Sequence, residues 1–173
     1  MVKADLKSHI RSVPDFPKAG ILFYDVTTLL RDPLGFQLTI DTIATPYLGR
    51  DIDLVVGVES RGFILGAAVA DRLKAGFVPV RKLGKLPAAT IRANYELEYG
   101  SDTLEMHRDA VQPGQRVLVV DDLLATGGTA SATINLVKQA GGTVEGVSFL
   151  IELLELGGRS KLAGENVSVV LQY

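Results

Sequence analysis

The chain has 173 residues, 47% hydrophobic and 22% charged, with a formal net charge of −2 and no cysteine. That length suits one globular domain with a substantial core. Nothing in the near-neutral charge suggests a nucleic-acid footprint. The missing cysteines exclude disulfide and thiol chemistry, and no apolar run reaches the about 18 residues of a membrane span.

The opening stretch MVKADLKSHIRSVPDF lacks the apolar segment of a secretory signal, so a cytoplasmic location is expected. Leu6 to Val13 reads as a short helix stopped by Pro14. Phe16 to Gly20 is a turn-rich loop, and Ile21 to Tyr24 a short apolar extension. Asp32-Pro33 predicts a helix start, with Asp as N-cap and Pro at the first helical position, continuing to about Leu48. Asp53 to Val58 reads as a buried strand, Gly62 to Lys74 as an apolar helix capped by Ala75-Gly76, and Phe77 to Arg81 as a second strand.

Residues 91–99 alternate strictly. Ile91, Ala93, Tyr95, Leu97 and Tyr99 fall on one face, and Arg92, Asn94, Glu96 and Glu98 on the other. With a turn at Gly100-Ser101-Asp102 this predicts a hairpin standing outside the parallel sheet. Long excursions of this kind are commonly functional lids. A strand from Val117, a helix over Thr129 to Ala140 stopped by Gly141-Gly142, and strands at Thr143–Leu150 and Val167–Leu171 complete the pattern. Strands alternating with helices imply a parallel sheet with right-handed crossovers.

The segment VLVVDDLLATGGTA, Val117 to Ala130, carries the most chemistry. An aliphatic run ends in Asp121 and Asp122, and a Gly/Thr turn then leads into a helix. Free backbone N–H groups and the helix dipole make such a turn an anion site, at the strand end where ligands enter α/β sheets. A phosphate cradle beside two carboxylates suggests a sugar phosphate. Val56 to Gly62 repeats the strand–turn–helix pattern with Glu59, Ser60 and Arg61, a second anion site in which an Arg fork suits phosphate. Arg81, Lys82 and Lys85 place three cations within five residues. Neither a P-loop nor a dinucleotide fingerprint occurs. His9 and His107 lack ligand-like company, and no zinc-type cluster exists.

The acid pair followed by TGGT resembles the 5-phosphoribosyl-1-pyrophosphate (PRPP) motif of the type I phosphoribosyltransferase family, and the form DDLLATGGT looks like its adenine-specific members. Phe16 to Pro33, Val56 to Gly66, Arg81 to Gly100 and Val111 to Thr129 extend the resemblance over nearly the whole chain. It implies an α/β fold of the type I phosphoribosyltransferase kind, a mainly parallel sheet of about five strands flanked by helices. A single domain over 1–173 would carry a hood at 1–33 and a β-hairpin lid at 82–107. The implied reaction converts adenine and PRPP to AMP and pyrophosphate through an oxocarbenium-like transition state, with Mg²⁺ as cofactor. A homodimer without nucleic-acid or membrane partners is expected.

The resemblance also assigns residues. Ala125, Thr126, Gly127, Gly128 and Thr129 would hold the 5′-phosphate. Asp121 and Asp122 would meet the ribose hydroxyls directly or through Mg²⁺ and water. Glu59, Ser60, Arg61, Arg81, Lys82 and Lys85 would form the pyrophosphate site, with a cis peptide near Glu59-Ser60. Arg61, Asp121 and Asp122 would share the catalytic work with Glu98, which would manage the purine proton, and Tyr99 would cover the sugar from the lid. Leu22, Phe23 and Tyr24 would bind adenine, although the family commonly has a basic residue where Tyr24 stands. Asp25 and Arg61 are opposite charges free to pair. Two alternatives stand beside this reading: a 6-oxopurine transferase, which usually carries a Glu-Asp pair, and a PRPP- or purine-sensing regulator on the same fold.

Overall fold

A computed structural model describes residues 6–97 and 100–173. After a 3₁₀ turn at Leu6–His9, β1 (Arg11–Pro14) and β2 (Leu22–Asp25) pair antiparallel in a small separate sheet. The helix expected over 6–13 is thus one turn followed by a strand. So short a segment gains little from helix propagation, and β2 satisfies its backbone instead. A short helix, α1 (Thr27–Leu30), follows without a clear sequence signal. The predicted helix start is observed: α2 (Pro33–Ala44) begins with the Asp32 carboxylate accepting from the Gly35 N–H at 2.6 Å. It ends short of Leu48, because Thr45–Tyr47 tightens into a 3₁₀ turn at Pro46.

β3 (Leu54–Val58) leads into α3 (Arg61–Leu73) and β4 (Gly76–Lys82). The stop of α3 is Lys74, in the left-handed region at φ 59°, and Gly76 already belongs to β4. β5 (Thr90–Leu97) and β6 (Gly100–His107) form the expected hairpin. Two details differ from the sequence reading. Gly100, Ser101 and Asp102 are strand residues paired with Leu97, Glu96 and Tyr95, and the hairpin is joined to the main sheet through antiparallel pairing of β6 with β4. Alternation along 91–97 fixes which side chains share a face; it carries no information about which strand edge the hairpin meets.

β7 (Arg116–Leu124), α4 (Gly128–Gln139), β8 (Thr143–Glu152) and β9 (Val167–Gln172) complete the chain. The seven-stranded sheet has the order β5-β6-β4-β3-β7-β8-β9, with its five strands from β4 to β9 parallel. Alternate residues of the central strands serve two cores. Val117 and Val119 face the α4 side with Ile134 and Leu136, while Leu118 and Val120 face the α2–α3 side with Leu65 and Val69. Burial on both faces explains why β3 and β7 read as continuous aliphatic runs. No helix among the described residues is long and apolar enough to cross a membrane.

Candidate active site

The carboxyl ends of β3 and β7 open into a cleft of about 340 Å³. Its walls bring together the two loops singled out in the sequence: Glu59, Ser60 and Arg61 from the β3–α3 turn, and Asp121, Asp122 and Ala125 to Thr129 from β7 and the start of α4. Lys82 and Tyr95 close the side next to the hairpin.

At the first wall, Gly127 precedes α4 with φ 80°, and no side chain caps the helix. Among the described residues no side chain is seen to cap the first N–H groups of α4, as an anion cradle requires. Only glycine fits at 127. Its φ is left-handed, and a Cβ there would lie 2.4 Å from the Gly158 carbonyl oxygen. The second wall has the same form. Ser60 precedes α3 without a side-chain cap, and the Glu59–Ser60 peptide is cis, as the family resemblance implied.

The floor holds the two carboxylates, both buried although β7 continues past them to Leu124. They are not equivalent. Asp122 accepts from Arg61 Nε in a short ion pair. Asp121 lies behind it, its Oδ1 accepting from the Asp122 N–H at 2.9 Å. Burial, and then the Asp122 charge, push the Asp121 carboxyl well above its ordinary value, against a smaller opposing effect of Arg61. Gly62 permits this packing, since a Cβ there would lie 2.7 Å from Asp121 Oδ1. Arg61 also stands over the Phe23 ring, 5.7 Å from its centroid, and so joins the acid pair to the aromatic platform of β2.

That platform divides the three residues expected at the base site. Phe23 meets Phe16 edge-on at 5.1 Å, and Leu22 is exposed. The Tyr24 ring instead lies on Tyr173, with centroids 4.0 Å apart, because neighbouring strand residues point to opposite faces. Asp25 pairs with Arg11 at 2.5 Å and with the Thr27 hydroxyl at 2.6 Å, and its carboxyl is lowered to about 2 chiefly by Thr27 and then Arg11. The Asp25–Arg61 pair left open by the sequence does not form.

The three cations near β4 separate as well. Lys82 lines the cleft, and its Nζ is 3.2 Å from Asp102. Arg81 and Lys85 converge on Glu59, with Arg81 Nε at 3.2 Å and Lys85 Nζ at 2.6 Å. Burial would raise the Glu59 carboxyl, but Lys85, Arg81 and the Lys82 N–H outweigh it and hold the group at about 2. Tyr95 and Asp102 carried no role in the sequence reading. Their 3.1 Å hydrogen bond follows from the register that pairs them, which a turn placed at 100–102 concealed. Glu98 and Tyr99 lie outside the described residues. Among the described residues, the buried Nε2 of His107 has no hydrogen-bond partner.

The described residues contain no group of three or more His, Cys, Asp or Glu able to cage a metal ion. The two aspartates at the cleft floor are oxygen donors of the kind Mg²⁺ uses one or two at a time, with substrate oxygens and water completing its shell.

The phosphoribosyl transferase domain family matches residues 28–152. The adenine phosphoribosyltransferase of Acidobacterium capsulatum is 60% identical over 168 residues, spanning 97% of this chain and 93% of that protein. The crystal structure of the Rhodothermus marinus adenine phosphoribosyltransferase is 56% identical with a TM-score of 0.93, over 97% of this chain and 96% of that one. The Saccharomyces cerevisiae enzyme, complexed with D-2,5-dideoxy-2,5-imino-altritol 1,6-bisphosphate and adenine, is 42% identical with a TM-score of 0.92 over 98% of each chain. With two uncapped helix starts and an acid pair in one cleft, and likeness over nearly its whole length, the chain belongs to the phosphoribosyltransferase family, among the adenine phosphoribosyltransferases.

Proposed function

We propose that the cleft holds PRPP across its two loops and adenine beside Phe23, and that the chain transfers the phosphoribosyl group to form AMP and pyrophosphate in purine salvage. The carrying observation is the meeting of both uncapped helix starts with the Asp121–Asp122 pair in one cleft. Neither a 6-oxopurine transferase nor a sensing regulator gains support from the relatives, which are adenine enzymes.

In this reading the 125–129 loop takes the 5′-phosphate and Ser60–Arg61 the diphosphate. Adenine N9 attacks C1′ as the bond from C1′ to the diphosphate oxygen breaks. Positive charge grows on the sugar, above the buried Asp121–Asp122 pair, whose field is fixed before the reaction begins. Arg61 positions Asp122 and neutralises the departing diphosphate. Leu22 presents backbone groups to the adenine edge and Phe23 its ring. Lys82, Lys85 and Arg81 screen the diphosphate charge, Glu98 manages the purine proton, and Tyr99 covers the sugar with water excluded. Asp121 and Asp122 would reach Mg²⁺ only indirectly, through the ribose hydroxyls or water, and the ion would supply charge neutralisation to PRPP when bound.

The same reading treats 1–173 as one domain, with residues 1–33 as hood and 82–107 as lid, working in the cytoplasm as a homodimer. Light scattering of the purified protein tests the last point. The activity is tested with PRPP, Mg²⁺ and a panel of adenine, hypoxanthine, guanine and orotate. Nucleotide from adenine alone is expected. PRPP binding without product from any base would replace the enzyme by a sensor.

A further inference from the structure

Glu105 is a carboxylate that the reaction does not explain. It lies on β6 with 2% of its surface exposed, between Arg81 of β4 and Arg92 of β5 in the strand register. A buried acid needs compensation, and three consecutive backbone groups supply it. The N–H groups of Gly84, Lys85 and Leu86 donate to Glu105 Oε1 at 3.0, 3.2 and 3.2 Å. Oε2 accepts from the Thr90 hydroxyl at 3.3 Å and lies 3.7 Å from Arg92 Nε. Burial alone would raise this carboxyl, but the Leu86 N–H, Thr90 and the other two N–H groups hold it below its ordinary value.

The turn fixed in this way carries Lys85. Its N–H is tied to Glu105, its carbonyl oxygen accepts from Arg81 Nη1 at 3.2 Å, and its ammonium meets Glu59 at 2.6 Å. We propose that Glu105 is a positioning residue for the diphosphate site: by gathering the three N–H groups of the 84–86 turn onto one oxygen, it presents Lys85 to Glu59, which lines the cleft. The turn bridges β4 and the hairpin, so without this anchor the Lys85 side chain is attached to a loose connection. The proposal rests on the reading of Lys85 as a diphosphate-binding cation.

The test is a steady-state comparison of Glu105→Gln, Lys85→Ala and the double variant. Glu105→Gln is expected to raise KM for PRPP about tenfold, the worth of a charge-assisted hydrogen-bond set, with KM for adenine unchanged. The double variant is expected to match Lys85→Ala, because residues acting through one another are not additive. Equal rises in both KM values, or a double variant that multiplies the two losses, would overturn the positioning role. An unchanged KM for PRPP in Lys85→Ala would instead remove the clamp reading on which it stands. If Glu105→Gln does not fold, Thr90→Val removes one donor and keeps the charge. A rise of about threefold in KM for PRPP alone is then expected, and no change overturns the proposal.

Discussion

Arg61 and Asp122, 61 residues apart in sequence, form an ion pair on the cleft floor, and the same guanidinium stands 5.7 Å above the Phe23 ring. One side chain therefore links the β3–α3 turn, the acid pair and the Phe23 ring of β2. Asp122→Asn and Arg61→Ala are each expected to lower kcat/KM for PRPP about 100-fold. The double variant should lose far less than the product of the two, since a single pair is broken. Multiplicative losses in initial-rate assays would show independent contacts.

Gly127→Ala places a Cβ against the Gly158 carbonyl at a left-handed φ. A loss of about 3 kcal/mol is expected, seen as a Tm lower by about 9 °C in a chain of this size. Calorimetry checks it, and 5′-phosphate affinity, measured with ribose 5-phosphate, should fall in the same variant.

Glu59 links stability to pH. Its carboxyl is lowered from the ordinary 4.5 to about 2 in the folded chain. A depressed folded value means that its stabilisation is complete above about pH 4.5 and is lost as pH falls toward 2. Screening at the half-exposed Lys85 leaves about 2 kcal/mol of effect. Urea titrations across this window should show a smaller acid loss for Glu59→Gln than for the unaltered chain. Equal slopes would remove Glu59 from the acid response.

Phe23 and Tyr24 should separate cleanly. Phe23→Ala is expected to raise KM for adenine about tenfold, the scale of one base–aromatic stack, with KM for PRPP unchanged. Tyr24→Phe should leave both constants as they are, because that ring packs on Tyr173.

Chelation by EDTA should abolish turnover without moving Tm in the absence of PRPP. A metal held mainly by substrate oxygens adds nothing to the stability of the free chain. A fall in Tm on chelation would reveal a protein-bound ion instead.

Local chemistry was legible in the sequence wherever neighbouring residues decide the outcome. The aliphatic run before Asp121, the Asp32-Pro33 helix start and the glycines at 127 and 128 state their roles within a few positions, because strand burial, capping and backbone freedom are short-range effects. The family resemblance added the meeting of the two anion loops. Long-range matters stayed hidden. Strict alternation over 91–99 identified a hairpin, but only the β6–β4 edge shows that it extends the main sheet and seats Glu105 beneath the 84–86 turn. A charge run of Arg81, Lys82 and Lys85 looked uniform, yet packing divides it between Glu59 and Asp102. Two adjacent aspartates looked equivalent, until burial set one behind the other and gave Arg61 to Asp122 alone. The sequence by itself determined where a strand runs through a Gly- or Ser-bearing turn into a helix start, since that depends on residues close together along the chain. The tertiary structure alone decided which charge faces which, because ion pairing depends on distance across elements that only folding brings together.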